Sequence, residues 1–131
     1  MILELDRLLG ALRKSWSQET AFDANDWLPE NPARGQCVVS ALVVQDYLGG
    51  DLQRFEVQGN GFFETHYVNL LDGVVIDTTA SQYSALSVTL TPTPTDLKGF
   101  ASIREKRLAD NSTRERYELL GKRVASSLGH R

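Results

Sequence analysis

The chain has 131 residues, of which 41% are hydrophobic and 24% are charged, and its formal net charge is −3. These values are typical of one globular domain, here residues 1–131, which can bury a core without disulfides. A negative net charge offers no basic surface for a phosphate backbone, so no nucleic-acid partner is expected.

Cysteine and histidine are scarce. Cys37 is the only cysteine, which excludes an internal disulfide and a CxxC metal site. The two histidines, His66 and His130, are far apart in the chain and lack the spacing of metal ligands. We therefore expect no bound metal and no other cofactor.

The first element is predicted to be an amphipathic helix over residues 2–16, because Leu5, Leu8, Leu12 and Trp16 recur at helical spacing. Charges occur throughout this segment, unlike a signal peptide. No apolar run reaches the roughly 18 residues that a membrane span needs. The expected location is the cytoplasm, without a membrane partner, where a lone thiol stays reduced.

A long loop and a buried helix follow. Residues 17–36 contain two prolines, two asparagines and a glycine, which predicts a loop with one helical turn near residues 22–27. Residues 37–48, CVVSALVVQDYL, are apolar on nearly all sides of a helix, as in a helix at the centre of a core. The glycines at 49 and 50 end this helix.

The middle of the chain predicts strands at residues 54–58, 65–71 and 74–79, with a further short strand at 86–92. After these strands, helices are predicted at residues 102–110 and 112–128. Ser112 and Glu115 fit a capping box for the final helix, and Arg114, Arg116, Lys122 and Arg123 are interpreted as its solvated face. These elements predict an α+β fold: a buried central helix packed on a small antiparallel sheet, with flanking helices.

Cys37 is the first residue of the buried helix, where the positive end of the helix dipole favours a thiolate. Gly35 just before it permits close approach of another backbone or a substrate. Taken alone, Cys37 also suits the role of a small core residue, and His66 that of a structural histidine.

The hairpin register brings His66 and Asp77 together. With a two-residue loop at residues 72–73, Val68 pairs with Asp77 and His66 pairs with Thr79. His66 and Asp77 are then diagonal neighbours on one face, about 7–8 Å apart at Cα. Asp77 can hold one ring nitrogen while the other faces Cys37, which is the logic of a nucleophile, base and orienting acid.

Asn69 is the competing partner for His66. The same register places Asn69 on the opposite face of the strand, so it is interpreted as a polar contact at the sheet edge.

Several motifs resemble known families. SWSQET, NPARGQC, ALVVQDYLGG, HYVNLLDG and RERYELLGKRV resemble the YunG-like family of small bacterial proteins over nearly the whole chain. Over residues 35–79, the order of a cysteine at a helix start, a histidine at a strand start and Asp-Thr on the next strand resembles the transglutaminase-like branch of the papain-like cysteine enzymes. This resemblance implies a papain-like fold with Cys37 as nucleophile, His66 as general base and acid, and Asp77 as its orienting partner.

The resemblance also directs attention to an oxyanion donor, which papain-like enzymes take from a glutamine several residues before the cysteine. The candidates here are Asn31 and Gln36, together with the backbone N–H of Cys37. Tyr67 occupies the place of the usual tryptophan after the histidine, which argues against ordinary peptide cleavage. Further candidates for the pocket are Trp27, Tyr67 and Gln82, although Trp27 and Gln82 also suit ordinary packing.

The leading hypothesis is cysteine-dependent acyl transfer on an amide by a peptidase, amidase, deamidase or transglutaminase-like enzyme. Its partner would be a peptide or protein amide substrate. The alternative is a catalytically inactive binding or structural domain that retains the fold, with a buried and unreactive Cys37. A protein-modifying effector or a toxin–antitoxin component also fits the small size.

Overall fold

The computed structural model describes residues 2–129, so the tail histidine His130 lies outside the described residues. The helices are α1 (Ile2–Ser15), α2 (Cys37–Leu48), α3 (Ile103–Leu108) and α4 (Asn111–Ser127). The strands are β1 (Asp51–Gly59), β2 (Phe62–Leu71), β3 (Val74–Ile76) and β4 (Val88–Thr93). Short 3₁₀ turns cover Gln18–Thr20, Ala24–Asp26 and Ala80–Tyr83. The predicted α+β class is confirmed.

Helix α2 is the centre of the core, as its all-round apolar sequence predicts. Val39, Leu42, Val43 and Val44 are each at most 1% exposed. One side of α2 packs against α1 and α4, and another side packs against Leu52 of β1 and the apolar residues of α3. The position of Cys37, at the start of this helix, is therefore set by packing on several sides.

The sheet is antiparallel with the strand order β3-β2-β1-β4. The hairpin loop at residues 72–73 pairs Leu71 with Val74, and the register continues to Asn69 opposite Ile76, as predicted. The ladder ends there. The predicted pairs Val68–Asp77 and His66–Thr79 do not form.

Strand β3 ends because the side chain of Asp77 competes with the strand ladder. Its Oδ1 accepts a hydrogen bond from the backbone N–H of Thr79 at 3.2 Å, two residues further on. Aspartate commonly makes this local turn at the end of a strand. The prediction of a strand over residues 74–79 was therefore too long by three residues.

A backbone hydrogen bond joins the beginning and the end of the loop before α2. The backbone N–H of Phe22 donates to the carbonyl of Gly35 at 2.9 Å. Gly35 has φ +75°, and a Cβ atom there would lie 3.0 Å from the Phe22 nitrogen. The expected close approach at Gly35 is thus an approach of backbone, and the predicted turn within residues 22–27 is confirmed at Ala24–Asp26.

Helix α4 begins earlier than predicted. Asp110 is the N-cap residue, and its carboxylate accepts the backbone N–H of Thr113 at 2.9 Å, so the predicted Ser112–Glu115 capping box is wrong. An aspartate at the position before the helix satisfies the free N–H groups as well as a serine does, and it starts the helix first. Leu120 and Val124 are fully buried and form the inner face of α4.

No helix within residues 2–129 is long and apolar enough to cross a membrane.

Two glycines offer a matched test of how closely the end of α2 is connected to the sheet. A Cβ atom on Gly50, which has φ +78°, would lie 2.6 Å from the carbonyl oxygen of Leu70, whereas one on Gly121 in α4 would meet nothing within 4 Å. We expect Gly50→Ala to lower the free energy of unfolding by more than about 1 kcal/mol. Gly121→Ala should raise it by about 0.5–1 kcal/mol. Urea denaturation measures both, and equal effects would contradict the close approach of Gly50 to β2.

Candidate active site

Cys37 lies at the uncapped start of α2. The preceding residue, Gln36, occupies the N-cap position, but its side chain makes no capping hydrogen bond. Helix N-termini carry N–H groups without helical acceptors and a partial positive charge. The half-buried thiol of Cys37 therefore lies beside free donors that would stabilise a negative charge.

His66 is held by Asp77. Nε2 of His66 lies 2.8 Å from Oδ2 of Asp77, and the other carboxylate oxygen accepts the Thr79 N–H. The turn that ends β3 thus aims the carboxylate at the imidazole. The predicted contact forms even though the predicted strand pairs around it do not.

The histidine is fully buried and its ring lies edge-on to Tyr83, with 5.2 Å between ring centroids. Burial opposes protonation, but the hydrogen bond with Asp77 and the nearby thiol of Cys37 outweigh it and raise the pKa of His66 to about 9. The ring therefore keeps its proton at neutral pH, chiefly because of its hydrogen bond with Asp77.

The second ring nitrogen is the one available to Cys37. Nδ1 is buried and has no hydrogen bond of standard geometry to any described residue. Cys37 is near enough to raise the pKa of the ring, although no hydrogen bond of standard geometry joins the thiol to Nδ1. Such bonds are often long or misaligned without substrate. The structure brings the three predicted residues, Cys37, His66 and Asp77, together.

Cys37 lines a cavity of about 180 Å³, which we call the Cys37 cavity. Tyr67 and Gln82, two of the predicted pocket residues, line it as well. His66 and Asp77 are not part of its lining, so they support Cys37 from the protein interior. Trp27 is not part of its lining either, and its indole N–H donates to the carbonyl of Pro32 at 2.9 Å.

The two side chains predicted as oxyanion donors are engaged elsewhere. The amide of Asn31 donates to the carbonyl of Gln82 at 3.0 Å, and the fully buried amide of Gln36 donates to the carbonyl of Ser17 at 2.9 Å. Neither side chain lines the Cys37 cavity. Of the three candidate oxyanion donors, only the backbone N–H of Cys37 belongs to a residue that lines the cavity.

Asn69 does not lie at a sheet edge. It is 2% exposed, and its amide donates to the carbonyl of Ala41 in α2 at 2.9 Å. This contact faces the helix, whereas His66 faces Tyr83. The prediction that Asn69 and His66 lie on opposite faces agrees with these contacts, but its interpretation as an edge contact was wrong, because α2 covers that face.

Sequence reasoning missed an ionic network around the loop before Cys37. Arg34 binds both carboxylate oxygens of Glu64, at 2.6 and 2.8 Å, and its Nε contacts Asp26 at 2.8 Å. Tyr83 donates its hydroxyl to Glu64 at 2.6 Å, and Gln82 accepts from Arg34. This network joins the loop to β2. The only signal in the sequence is that Glu64 and His66 alternate onto one face of the strand.

No group of His, Cys, Asp and Glu side chains within residues 2–129 could hold a metal ion.

Comparisons with known proteins identify relatives but no solved structure. A family model described as YunG protein matches residues 4–129. A Bacillus subtilis (strain 168) protein described as "Uncharacterized protein YunG" is 33% identical over 109 residues, which cover 83% of this chain and 81% of that protein. No solved structure matches the chain significantly. The papain-like aspect of the predicted fold therefore stays a prediction.

The charge of His66 can be tested by titration. We expect NMR to give a pKa of about 9 for His66 in the wild type and a lower pKa in Asp77→Asn, because the variant loses the acceptor that opposes desolvation. His66→Gln identifies the resonance. An unchanged pKa in Asp77→Asn would contradict the contact.

Stability should follow the same titration. The folded pKa of His66 lies above its ordinary value of 6.5, so protonated His66 stabilises the fold. This contribution is complete below about pH 6.5 and is lost as the pH rises through about 9. Urea denaturation between these limits should show a fall in the free energy of unfolding, and the fall should be smaller in His66→Gln.

Proposed function

The chain belongs to the YunG protein family, and we propose that it catalyses cysteine-dependent acyl transfer from an amide. In this proposal Cys37 is the nucleophile, His66 is the general acid and base, and Asp77 orients the imidazole. The observation that carries the proposal is the buried His66, bonded to Asp77 through Nε2 and open toward Cys37 through Nδ1.

The raised pKa of His66 supports a resting pair of thiolate and imidazolium. A group with a pKa of about 9 keeps its proton at neutral pH. In the proposed pair, the positive imidazolium would favour a negative charge on the adjacent Cys37 sulfur, and that charge would in turn favour the imidazolium. The attacking group would then be a thiolate, which is the reactive form of cysteine.

In the first half of the reaction, the Cys37 sulfur attacks the carbonyl carbon and a C–S bond forms. The carbonyl π electrons move to oxygen, whose negative charge the N–H groups at the start of α2 would stabilise. When this intermediate collapses, the C–N bond breaks and His66 gives its proton to the departing amine. A thioester on Cys37 and a neutral imidazole remain.

In the second half, water or an amine attacks the thioester carbonyl. Neutral His66 takes the proton of the attacking group, and the C–S bond breaks to restore the thiolate and the imidazolium. Water yields a carboxylic acid, as in a peptidase, an amidase or a deamidase. An amine yields a new amide, as in a transglutaminase.

We also propose that the fold is of the papain-like, transglutaminase-like type. The order along the chain is a cysteine at the start of the central helix, a histidine on a strand of an antiparallel sheet, and an aspartate just after the next strand. A reduced thiol is required throughout, and the cytoplasm would keep a lone cysteine reduced.

The alternative of an inactive domain requires a buried and unreactive Cys37. Cys37 is half-buried and lines a cavity, which supports the enzyme proposal instead. A purely structural histidine would also be expected to have both ring nitrogens bonded, because a buried nitrogen without a partner costs free energy.

Trapping of the thioester tests the half of the reaction that all these enzymes share. Hydroxylamine converts an acyl thioester into a hydroxamate, whichever acceptor is natural. With a panel of glutamine-containing peptides and small amides, we expect hydroxamate from the wild type and none from Cys37→Ala. His66→Ala should lower the rate roughly 10²–10⁴-fold, because it removes the proton donor.

Alkylation of Cys37 provides the control that does not depend on the substrate. We expect iodoacetamide to alkylate the folded wild type at pH 6 faster than it alkylates free cysteine, and His66→Ala to lower this rate. Circular dichroism must show that the variants remain folded. A folded wild type whose Cys37 resists iodoacetamide over pH 6–9 would overturn the proposed function.

A further inference from the structure

Two arginines line the Cys37 cavity without an ion-pair partner. Arg107 on α3 and Arg116 on α4 both contribute to its wall. Arg34, which also lines the cavity, is neutralised by Glu64 and Asp26. Among the described residues, no carboxylate lies within 4.0 Å of the guanidinium group of Arg107 or Arg116. The prediction that Arg116 belongs to a solvated helix face was wrong, because α4 turns it toward the cavity.

Asp110 is the carboxylate whose charge acts on both arginines, and it is already occupied. Its Oδ2 accepts both the backbone N–H and the hydroxyl of Thr113, at 2.9 and 2.8 Å, and so caps α4. These hydrogen bonds, and then the charges of Arg107 and Arg116, lower the pKa of Asp110. Asp110 therefore offsets the two cations through space but does not bind them.

Both guanidinium groups keep unused hydrogen-bonding capacity. Nε of Arg107 is buried and has no partner among the described residues. Its remaining contact is with the ring of Tyr67, 5.8 Å from the centroid. Arg116 makes three long hydrogen bonds, 3.3 Å to the Thr113 hydroxyl, 3.4 Å to the Thr20 carbonyl and 3.5 Å to the Ser112 hydroxyl, and its guanidinium lies 5.7 Å from the centroid of the Phe22 ring.

The two cations are near enough to repel each other. Burial lowers the pKa of Arg116, and the charge of Arg107 lowers it further, while Asp110 and Cys37 act in the opposite direction. Arg107, Arg116 and Cys37 line one cavity, so the two cations lie beside the space through which a ligand would reach the sulfur. An anion entering the cavity would relieve the repulsion and would bind two preformed donors.

We propose that Arg107 and Arg116 bind a carboxylate on the acyl part of the substrate, so that Cys37 acts on amides of small acids that carry a second, anionic group. This inference rests on the proposed function. Arginine binds carboxylates with paired hydrogen bonds, which suits it to this task. A cavity of about 180 Å³ is smaller than the roughly 300–1,000 Å³ of sites for larger ligands, so the acyl group is small.

A simpler role would be stabilisation of the Cys37 thiolate alone. In that case the cations would raise the reactivity of Cys37 toward every electrophile. A carboxylate site favours only those electrophiles that are themselves anionic. The two roles are distinguished by a pair of reagents that differ in charge and little else.

Iodoacetate and iodoacetamide form such a pair, because both transfer a two-carbon group to a thiolate but only iodoacetate carries a carboxylate. We would measure both alkylation rates of Cys37 in the wild type, Arg107→Gln, Arg116→Gln and Arg114→Gln. Arg114 is the matched control, since it loses the same charge from the same helix but is exposed. Thermal unfolding would confirm that each variant is folded.

The expected result is a fall of roughly three- to tenfold in the ratio of the iodoacetate rate to the iodoacetamide rate in Arg107→Gln and in Arg116→Gln. Arg114→Gln should keep the wild-type ratio. If one variant does not fold, the other variant and the salt dependence of the wild-type rates still test the carboxylate site. Raising the ionic strength from about 0.01 M to about 0.2 M should slow iodoacetate selectively.

Two contrary results have different meanings. Equal slowing of both reagents, with an unchanged ratio, would overturn the carboxylate site but leave the proposed function standing. Failure of both reagents to reach Cys37 in the folded wild type would overturn the proposed function and this inference with it. With an active enzyme, a glutaryl anilide should have a lower KM than its methyl ester, and Arg116→Gln should remove that difference.

Discussion

The burial of α2 on several sides is the constraint on which the rest of the structure depends. A helix that is packed on several sides cannot slide or rotate without opening the core. Its first residue, Cys37, is therefore held in one place relative to β2. Asn69 adds a specific contact by donating from β2 to a carbonyl of α2, which aligns the helix and the strand. A side chain attached to such a helix can be positioned more closely than one on a free loop.

Some charged side chains around Cys37 have ion-pair partners and others do not, and this difference determines which ligands the cavity would favour. Arg34 and Glu64 satisfy each other and hold the loop before Cys37 against the sheet. His66 and Asp77 form a second ion pair, which orients the imidazole. Among the described residues, Arg107 and Arg116 have no such partner, and they line the same cavity as Cys37. The Arg34–Glu64 pair holds the loop in place, whereas the two unpaired cations are available to bind an anion that enters the cavity.

The sequence predicted the local features well, because local physics controls them. The bounds of α2 and the hairpin register follow from an apolar run ended by glycines and from an Asp-Gly turn between β-branched residues. Two local predictions failed where two residues competed for the same role. Asp110 capped α4 before Ser112 could, and Asp77 formed a turn instead of continuing its strand.

The sequence by itself determined the α+β class, the buried central helix and the likeness to one family. It also pointed to Cys37 through its place at the start of α2, and to the contact between His66 and Asp77 through the hairpin register. That contact forms through the turn at Asp77 and not through the strand pairs that the register predicted. Only the tertiary structure decided which other charges meet at the cysteine. Arg34, Arg107 and Arg116 come from a loop and two separate helices, and no periodicity relates them. Their neighbours depend on how α2, α3 and α4 pack, which is a property of the whole core.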